Sequence, residues 1–342
     1  MTPLTYRARA LGPLRAVDWA IPSGVSVVVG PNRVGKSTLL RLPELIKIAI
    51  DDGLNEAVKV VFEGVSYLRN FSLPASAPIS IGFGGTDVEW TTELIIHGGE
   101  IAAFPSESLN HAGKKAVAPV ATAISVRSYR TYHYEINHLL RFGSQHSSGQ
   151  TLLTTGENVF PLLRNWRDRP ELEERYEFVL ATMREIFPHL GRVGFEQAGQ
   201  TVTMTVSDRR WPDGKHIPIA RESTGFITAL LHLCAIASAD RGGLVTLDEI
   251  ETSLHPRAIR VLIEAMRHRA ASHDLRVVLA TQSETVLDQF RDDPSRVFVL
   301  EPKQERSPQA LTELFSPEYL SQFSLGDLFA HLEFGADDPN DP

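Results

Sequence analysis

Apolar and polar positions alternate with a period of two at the start of the chain, over Leu4–Leu11 and Leu14–Ile21, with Gly12-Pro13 and Pro22-Ser23-Gly24 punctuating them as turns. A third strand, Val25-Ser26-Val27-Val28-Val29, is almost wholly apolar. A helix is expected to follow to about residue 50, kinked or interrupted at Pro43 and ended by Asp51-Asp52-Gly53. From about residue 58 to 103 the pattern is strand-like again, notably at 79–83 and 88–96, and predicts an antiparallel meander beside the core. Residues 105–190 differ in character. A loop-like Ser/Gly stretch covers 144–149, and helices are expected at 159–167 and 170–187, the second with a stripe of Leu172, Tyr176, Phe178, Val179, Met183 and Ile186. A strand pair at 193–197 and 201–206 then leads back to a parallel α/β core from about residue 216. The end, 335–342, lacks apolar content and is expected to be disordered.

Composition narrows the class. The 342 residues, 42% apolar and 22% charged, suit a soluble globular protein of one large or two ordinary domains. A net charge of −8 means that the surface as a whole does not seek phosphate, so any DNA or RNA contact must come from a local patch or a partner. Cys234 is the single cysteine and sits in an apolar run, which implies a buried small hydrophobe and excludes a disulfide within the chain. No apolar run reaches the ~18 residues of a membrane span, and the N-terminus has no signal-peptide core. The expected compartment is the cytoplasm, with no membrane partner.

The strongest chemical signal is Gly30-Pro31-Asn32-Arg33-Val34-Gly35-Lys36-Ser37, a match to G-x-x-x-x-G-K-[ST] between a strand and a helix. In that order the loop's N–H groups and the unpaired donors of the helix's first turn point at anionic oxygens. Lys36 would reach β/γ-phosphates, Ser37 would place its hydroxyl on Mg²⁺, and the candidate ATP-binding set is Gly30, Asn32, Arg33, Gly35, Lys36, Ser37 and Thr38. The second signal is the apolar strand Gly243-Leu244-Val245-Thr246-Leu247 ending in Asp248-Glu249. Asp248 is the candidate metal carboxylate and Glu249 the candidate general base for an attacking water. Between the two lies Ser223-Thr224-Gly225-Phe226, followed by an apolar helix. Ser223 can cap that helix, and Gly225 can let a phosphate approach its first turn.

This order of parts resembles the ABC-type ATPases, and more narrowly the soluble OLD, RecF and SMC-like branch, the AAA_21 or AAA_15 group. The string Asp248-Glu249-Ile250-Glu251-Thr252-Ser253-Leu254-His255-Pro256 matches that group's D-E-x-E-x-x-L-H-P. Val277-Val278-Leu279-Ala280-Thr281-Gln282-Ser283 corresponds to its switch strand, and Ser324-Leu325-Gly326-Asp327-Leu328 resembles the tail of many small members. The resemblance covers residues 1–50 and 216–335 well and the insertion poorly. It implies an α/β P-loop NTPase of ABC type: a mixed, mainly parallel core sheet, an antiparallel β lobe and an inserted helical lobe. The expected divisions are 1–104 for the first part of the ATPase core, 105–215 for the insertion, 216–335 for the second part and 336–342 for the tail.

The resemblance also implies a head-to-tail homodimer, with ATP between the phosphate loop of one subunit and the Ser223/Gly225 helix of the other, and a role in switching an effector in DNA repair or anti-phage defence. No nuclease domain is expected after the ATPase, and a nuclease is expected on a separate polypeptide. Three departures stand out. Arg33 replaces the usual Gly or Asn, the signature is not the transporter form L-S-G-G-Q, and Gln282 takes the place of the switch histidine. A glutamine can donate to a γ-phosphate but carries no charge, so a slowly hydrolysing clamp or scaffold remains an alternative, and a transporter ATPase subunit a weaker one. No Q-loop glutamine is assigned.

One further stretch invites a nucleic-acid reading. Arg127, Arg130, Arg141, Arg164, Arg167 and Arg169 are interleaved with Tyr129, Tyr132, Tyr134 and Trp166, a combination that can hold phosphates and stack bases. The alternative is a solvated or subunit-contacting helical lobe. His111, His133, His138 and His146 lack a tight ligand spacing, so no metal beyond Mg²⁺ is expected.

Overall fold

A computed structural model describes residues 4–74, 76–84, 88–97, 100–111, 114–115, 129–132, 134, 136–145, 147–211, 215–301, 307–331 and 334–335. In chain order the elements are β1 (Leu4–Leu11), β2 (Leu14–Ile21), β3 (Gly24–Val29), α1 (Lys36–Asp51), α2 (Leu54–Phe62), β4 (Ile79–Gly84), β5 (Val88–His97), β6 (Glu100–His111), β7 (Lys114–Lys115), β8 (Tyr129–Tyr132), α3 (Ile136–Phe142), β9 (Ser144–Gln145), α4 (Val159–Asp168) and α5 (Glu173–Ile186). Then come β10 (Leu190–Ala198), β11 (Thr201–Asp208), β12 (His216–Pro218), α6 (Thr224–Ser238), β13 (Leu244–Asp248), α7 (Pro256–His273), β14 (Arg276–Ala280), α8 (Glu284–Asp288), β15 (Val297–Val299), β16 (Gln309–Ala310), α9 (Leu311–Leu314), α10 (Pro317–Gln322) and α11 (Leu325–Ala330).

The chain forms two compact units. The first comprises residues 1–131, 242–246 and 276–342, the second 132–241 and 247–275. Within the first unit, one sheet has the order β16-β15-β3-β14-β13-β8. β3 lies between β14 and β15 and runs parallel to both, while β16 returns antiparallel at the edge. The other sheet, β2-β1-β4-β5-β6-β7, is the antiparallel meander. The central strands are buried along their length: Val27, Val28 and Val29 of β3 and Val277 to Ala280 of β14 are 0% exposed. Such β-branched runs are what a sheet covered on both faces requires. One core cluster joins Tyr6, Phe83, Leu42 and Ile46 with Val278 and Ala280.

Two local expectations are corrected here, the first only as to interruption of the helix, each for a packing reason. Pro43 does not interrupt α1, which runs unbroken from Lys36 to Asp51 with Leu39, Leu42, Leu45, Ile46 and Ala49 buried along one side. Burial of that stripe outweighs the missing N–H, a case of tertiary packing overriding propensity. Residues 54–62 form α2 rather than strand-like structure. Leu54, Ala57, Val58, Val61 and Phe62 recur at helical spacing and bury one face against α1, leaving Val60 outward.

In the second unit α6 is apolar all round and buried from Gly225 to Ser238. α4 and α5 pack with it, and Phe160, Leu162, Leu163 and Trp166 of α4 are fully enclosed. Beside these helices β10, β11, β12 and β9 form a four-stranded antiparallel sheet. The helix expected at 170–187 is a short 3-10 turn at 170–172 followed by α5. Among the described residues no helix is long and apolar enough to cross a membrane. The tail 336–342 lies outside the described residues.

Candidate functional site

The phosphate loop begins where β3 leaves the sheet, and its glycines are required by contacts as well as by the motif. A Cβ on Gly30 would lie 2.3 Å from the carbonyl oxygen of Leu300, which follows β15. Gly35 has φ +110° and precedes α1, and a Cβ there would meet Leu14 Cδ2 at 2.7 Å. Only glycine fits either place. Arg33 has φ 65°, so the loop does hold a side-chain-bearing residue in the left-handed region, at a cost of about 1–2 kcal/mol. Lys36 is 9% exposed, and its Nζ donates to the carbonyls of Gly30 and Pro31 at 2.6 and 2.8 Å. The ammonium is thus held over the loop that starts with Gly30. Ser37 is exposed and Thr38 half-buried on the first turn of α1, whose initial N–H groups have no partner within the helix.

Gln282 follows β14, the neighbour of β3, and its Nε2 donates to Asn32 Oδ1 at 2.6 Å. Thr281 Oγ1 accepts from Ser283 N and holds that turn. The switch position is therefore tied directly to the phosphate loop. Asp248 ends β13, and the exposed Glu249 turns out of the strand with φ 48°. That left-handed residue breaks the alternation by which adjacent strand side chains would face opposite ways. Strained conformations of this kind cost on the order of 1–3 kcal/mol and cluster at functional positions.

The signature segment is built inside the second unit. Ser223 caps α6 as expected, its Oγ accepting from Phe226 N at 3.2 Å. Gly225 is buried, and a Cβ there would fall 2.3 Å from the carbonyl oxygen of Ser253. The glycine is therefore needed for the approach of the chain's own 251–254 turn, a reason for glycine that the sequence did not suggest. Burial pushes the neighbouring Glu222 carboxyl up from its ordinary value, with Asp208 adding to the shift. His255-Pro256 has a local role too: His255 Nδ1 accepts from Arg257 N at 3.2 Å and Pro256 takes the first helical position of α7. The tail motif docks α11 on α8 in the first unit, with Gly326 N donating to Asp288 Oδ1 at 2.8 Å.

Among the described residues the basic, aromatic stretch does not offer open rings. Tyr132 and Trp166 are buried and Tyr134 is half-buried, and Trp166 Nε1 donates to the Gln150 carbonyl at 3.0 Å. Arg164 binds Gln197 and Asp168, while Arg167 pairs with Asp168 and lies 5.0 Å over the Phe195 ring. Arg127 and His133, His146 and the side chains of His111, Tyr129, Arg130 and Arg141 lie outside the described residues. Among the described residues no group of three or more His, Cys, Asp or Glu could hold a metal ion. Cys234 is buried as expected.

Two features were not singled out from the sequence. Thr131 Oγ1 donates to Leu40 O at 2.8 Å and accepts from Thr246 Oγ1 at 2.8 Å, which also lies 3.0 Å from Leu40 O. This buried hydroxyl pair fastens α1 to β13 and β8. A cavity of about 650 Å³ also opens beside Ser37 and Thr38. The signal available for it was Tyr67-Leu68-Arg69-Asn70-Phe71, polar and aromatic residues where a plain loop would be small and polar.

The sequence model of the AAA_21 family, described as "AAA domain, putative AbiEii toxin, Type IV TA system", matches residues 25–288. No curated protein matches the sequence. Among solved structures the fold is similar to an Smc head bound to the C-terminal winged-helix domain of ScpA, with TM-score 0.59 and 11% identity over 91% of this chain and 99% of that one. It is also similar to the Smc head domain with an extended coiled coil bound to the C-terminal domain of ScpA from Pyrococcus furiosus, with TM-score 0.57 and 13% identity over 94% and 99%. The fold is that of an SMC-head type P-loop NTPase.

Proposed function

The chain belongs to the AAA_21 family, and we propose that it is an ABC-type ATPase that closes head-to-tail around ATP and thereby switches a partner effector. The observation that carries the reading is the loop from Gly30 to Thr38, with two glycines that no other residue can replace and Lys36 held over it. On this reading the loop amides and Lys36 bind the β/γ-phosphates, and Asn32, Arg33 and Thr38 complete the lining. Ser37 and Asp248 would hold Mg²⁺. A hydroxyl and a carboxylate are hard oxygen donors that suit this cation and leave positions for phosphate and water. Bound there, the metal would neutralise phosphate charge.

Glu249 acts as general base. It takes a proton from water as the water oxygen bonds to the γ-phosphorus, the bond to the β-phosphate oxygen breaks, and ADP and phosphate leave. Gln282 donates to the γ-phosphate. Ser223 and the start of α6 face the γ-phosphate of the second subunit, so the dimer is sensitive to hydrolysis. The effector is a separate protein acting in DNA repair or anti-phage defence. The family's description as a toxin of a type IV system and the protein-bound state of the two Smc heads support a protein partner. Gln282, neutral and already engaged with Asn32, favours a second reading as a slow ATP-dependent clamp.

A mixing experiment tests the dimer. Ser223→Arg places a long cation on the signature helix, and Lys36→Ala disables the phosphate loop. Each alone should be inactive, and the mixture should regain ATPase activity from one intact composite site per heterodimer. If Ser223→Arg hydrolyses ATP normally on its own, that helix is only a capped core element and the dimer mechanism falls.

A further inference from the structure

We propose that the cavity beside Ser37 and Thr38 holds the base and ribose of the nucleotide, that Tyr67 and Phe71 are its stacking faces, and that it accepts guanine as readily as adenine. The inference rests on the phosphate-loop reading above and concerns the part of the ligand that the loop does not touch. Ser37 and Thr38 line the cavity, so a nucleotide with its phosphates on the loop has this space beside it for its base and ribose. Its volume, about 650 Å³, falls within the roughly 300–1,000 Å³ of small-ligand pockets.

Two other lining residues are unusual. Tyr67 and Phe71 are 67% and 83% exposed, although large rings are normally buried. The backbone that carries them is firmly held. Gly12 N donates to Leu68 O at 2.8 Å, Asn70 N donates to Ala10 O at 3.2 Å, and Leu68 and Asn70 are buried beneath the turn. Asn70 Oδ1 accepts from Ser72 N and from Ser72 Oγ. A braced turn presenting open rings is suited to stacking a base, since stacking needs a rigid flat face and every base has one.

The polar lining decides specificity. Arg15, Arg41 and Arg69 contribute guanidiniums, and among the described residues no carboxylate lines the cavity. The amide oxygen of Asn70, the one side-chain carbonyl among the described lining residues, already accepts two bonds. The exocyclic amino group of adenine therefore meets no side-chain carboxylate or open amide oxygen. The N7 acceptor, present on both purines, and the O6 acceptor of guanine meet arginine donors. Stacking, with guanidiniums as the only charged groups and hydroxyls that both donate and accept, gives no reason to prefer ATP over GTP.

Calorimetric titration of the whole chain with MgATP, MgGTP and magnesium tripolyphosphate tests this, using wild type, Tyr67→Phe, the double variant Tyr67→Ala/Phe71→Ala and Lys36→Ala. Both alanine positions are exposed, so the fold should survive, as circular dichroism can verify. Wild type should bind GTP within about tenfold of ATP. The double variant should bind both roughly tenfold to hundredfold more weakly, with tripolyphosphate unchanged and Tyr67→Phe like wild type. GTP binding more than tenfold weaker than ATP overturns the specificity. ATP affinity unchanged in the double variant, or tripolyphosphate weakened equally, overturns the stacking role. If Lys36→Ala leaves all three ligands bound, the phosphate site itself is misplaced and the base pocket falls with it.

Discussion

Gln282 Nε2 lies 2.6 Å from Asn32 Oδ1, so the residue after β14 and a residue of the phosphate loop share one hydrogen bond. In β14 and β3 the two segments leave adjacent parallel strands, which brings their ends to the same side of the sheet. A neutral amide there can hold the loop but cannot place positive charge on a phosphate. Gln282→His should keep the contact with Asn32 and add a group that is partly cationic near its ordinary pKa of about 6.5. Charge-assisted hydrogen bonds are roughly twice as strong as neutral ones, so hydrolysis should quicken by about fivefold at pH 6.5 and less at pH 8. Steady-state ATPase rates at the two pH values check this; an unchanged rate would remove Gln282 from the reaction.

Gly225→Ala separates two reasons for a glycine. At an ordinary helical position the change stabilises by roughly 0.5–1 kcal/mol. Here the new Cβ would lie 2.3 Å from Ser253 O, a backbone atom that cannot rotate away. Forcing a methyl into a filled space costs about 1–3 kcal/mol, so a net loss of roughly 1–2 kcal/mol is expected in urea denaturation. A variant that is as stable as wild type but fails to dimerise with ATP would return Gly225 to the phosphate.

Two buried groups should pull stability in opposite directions as the pH falls below neutrality. Burial on α1 pushes the Glu44 carboxyl up to about 7, against the smaller opposing effects of Arg41 and Lys47. Its contribution is full below an unfolded value near 4.5 and is lost as pH rises through 7, a change on the order of 3 kcal/mol. Burial moves His232 the opposite way, down to about 3. That contribution is full above about 6.5 and is lost as pH falls towards 3. Glu44→Gln should match wild type near pH 4.5 and exceed it at pH 8 in urea midpoint. An equal difference at both pH values would show that the carboxyl is not what titrates.

The chain itself, without its fold, determined the strand, glycine loop and helix at 25–50, the strand ending in Asp248-Glu249, the Ser223 cap and the meander. Each of these depends on neighbours in sequence: period-two alternation, a capping hydroxyl three residues from its amide, or glycines at a fixed spacing. Helical periodicity over 54–62 was also present, but its valines and phenylalanine carry strand propensity, and only packing against α1 decides between them. The same is true of Pro43, whose local signal to break the helix is outweighed by the buried stripe around it.

Tertiary structure alone decided what fills each space. Gly225 faces the Ser253 carbonyl, Trp166 faces the interior rather than a nucleic acid, and Thr246 reaches Leu40 and Thr131 far along the chain. Tyr67 and Phe71 look like loop residues until the turn beneath them is seen bonded to Ala10 and Gly12. Local pattern sets which conformation a segment prefers. Which atoms meet across the sheet or cavity depends on long-range contacts, and the spacing of residues in one sequence carries no record of those.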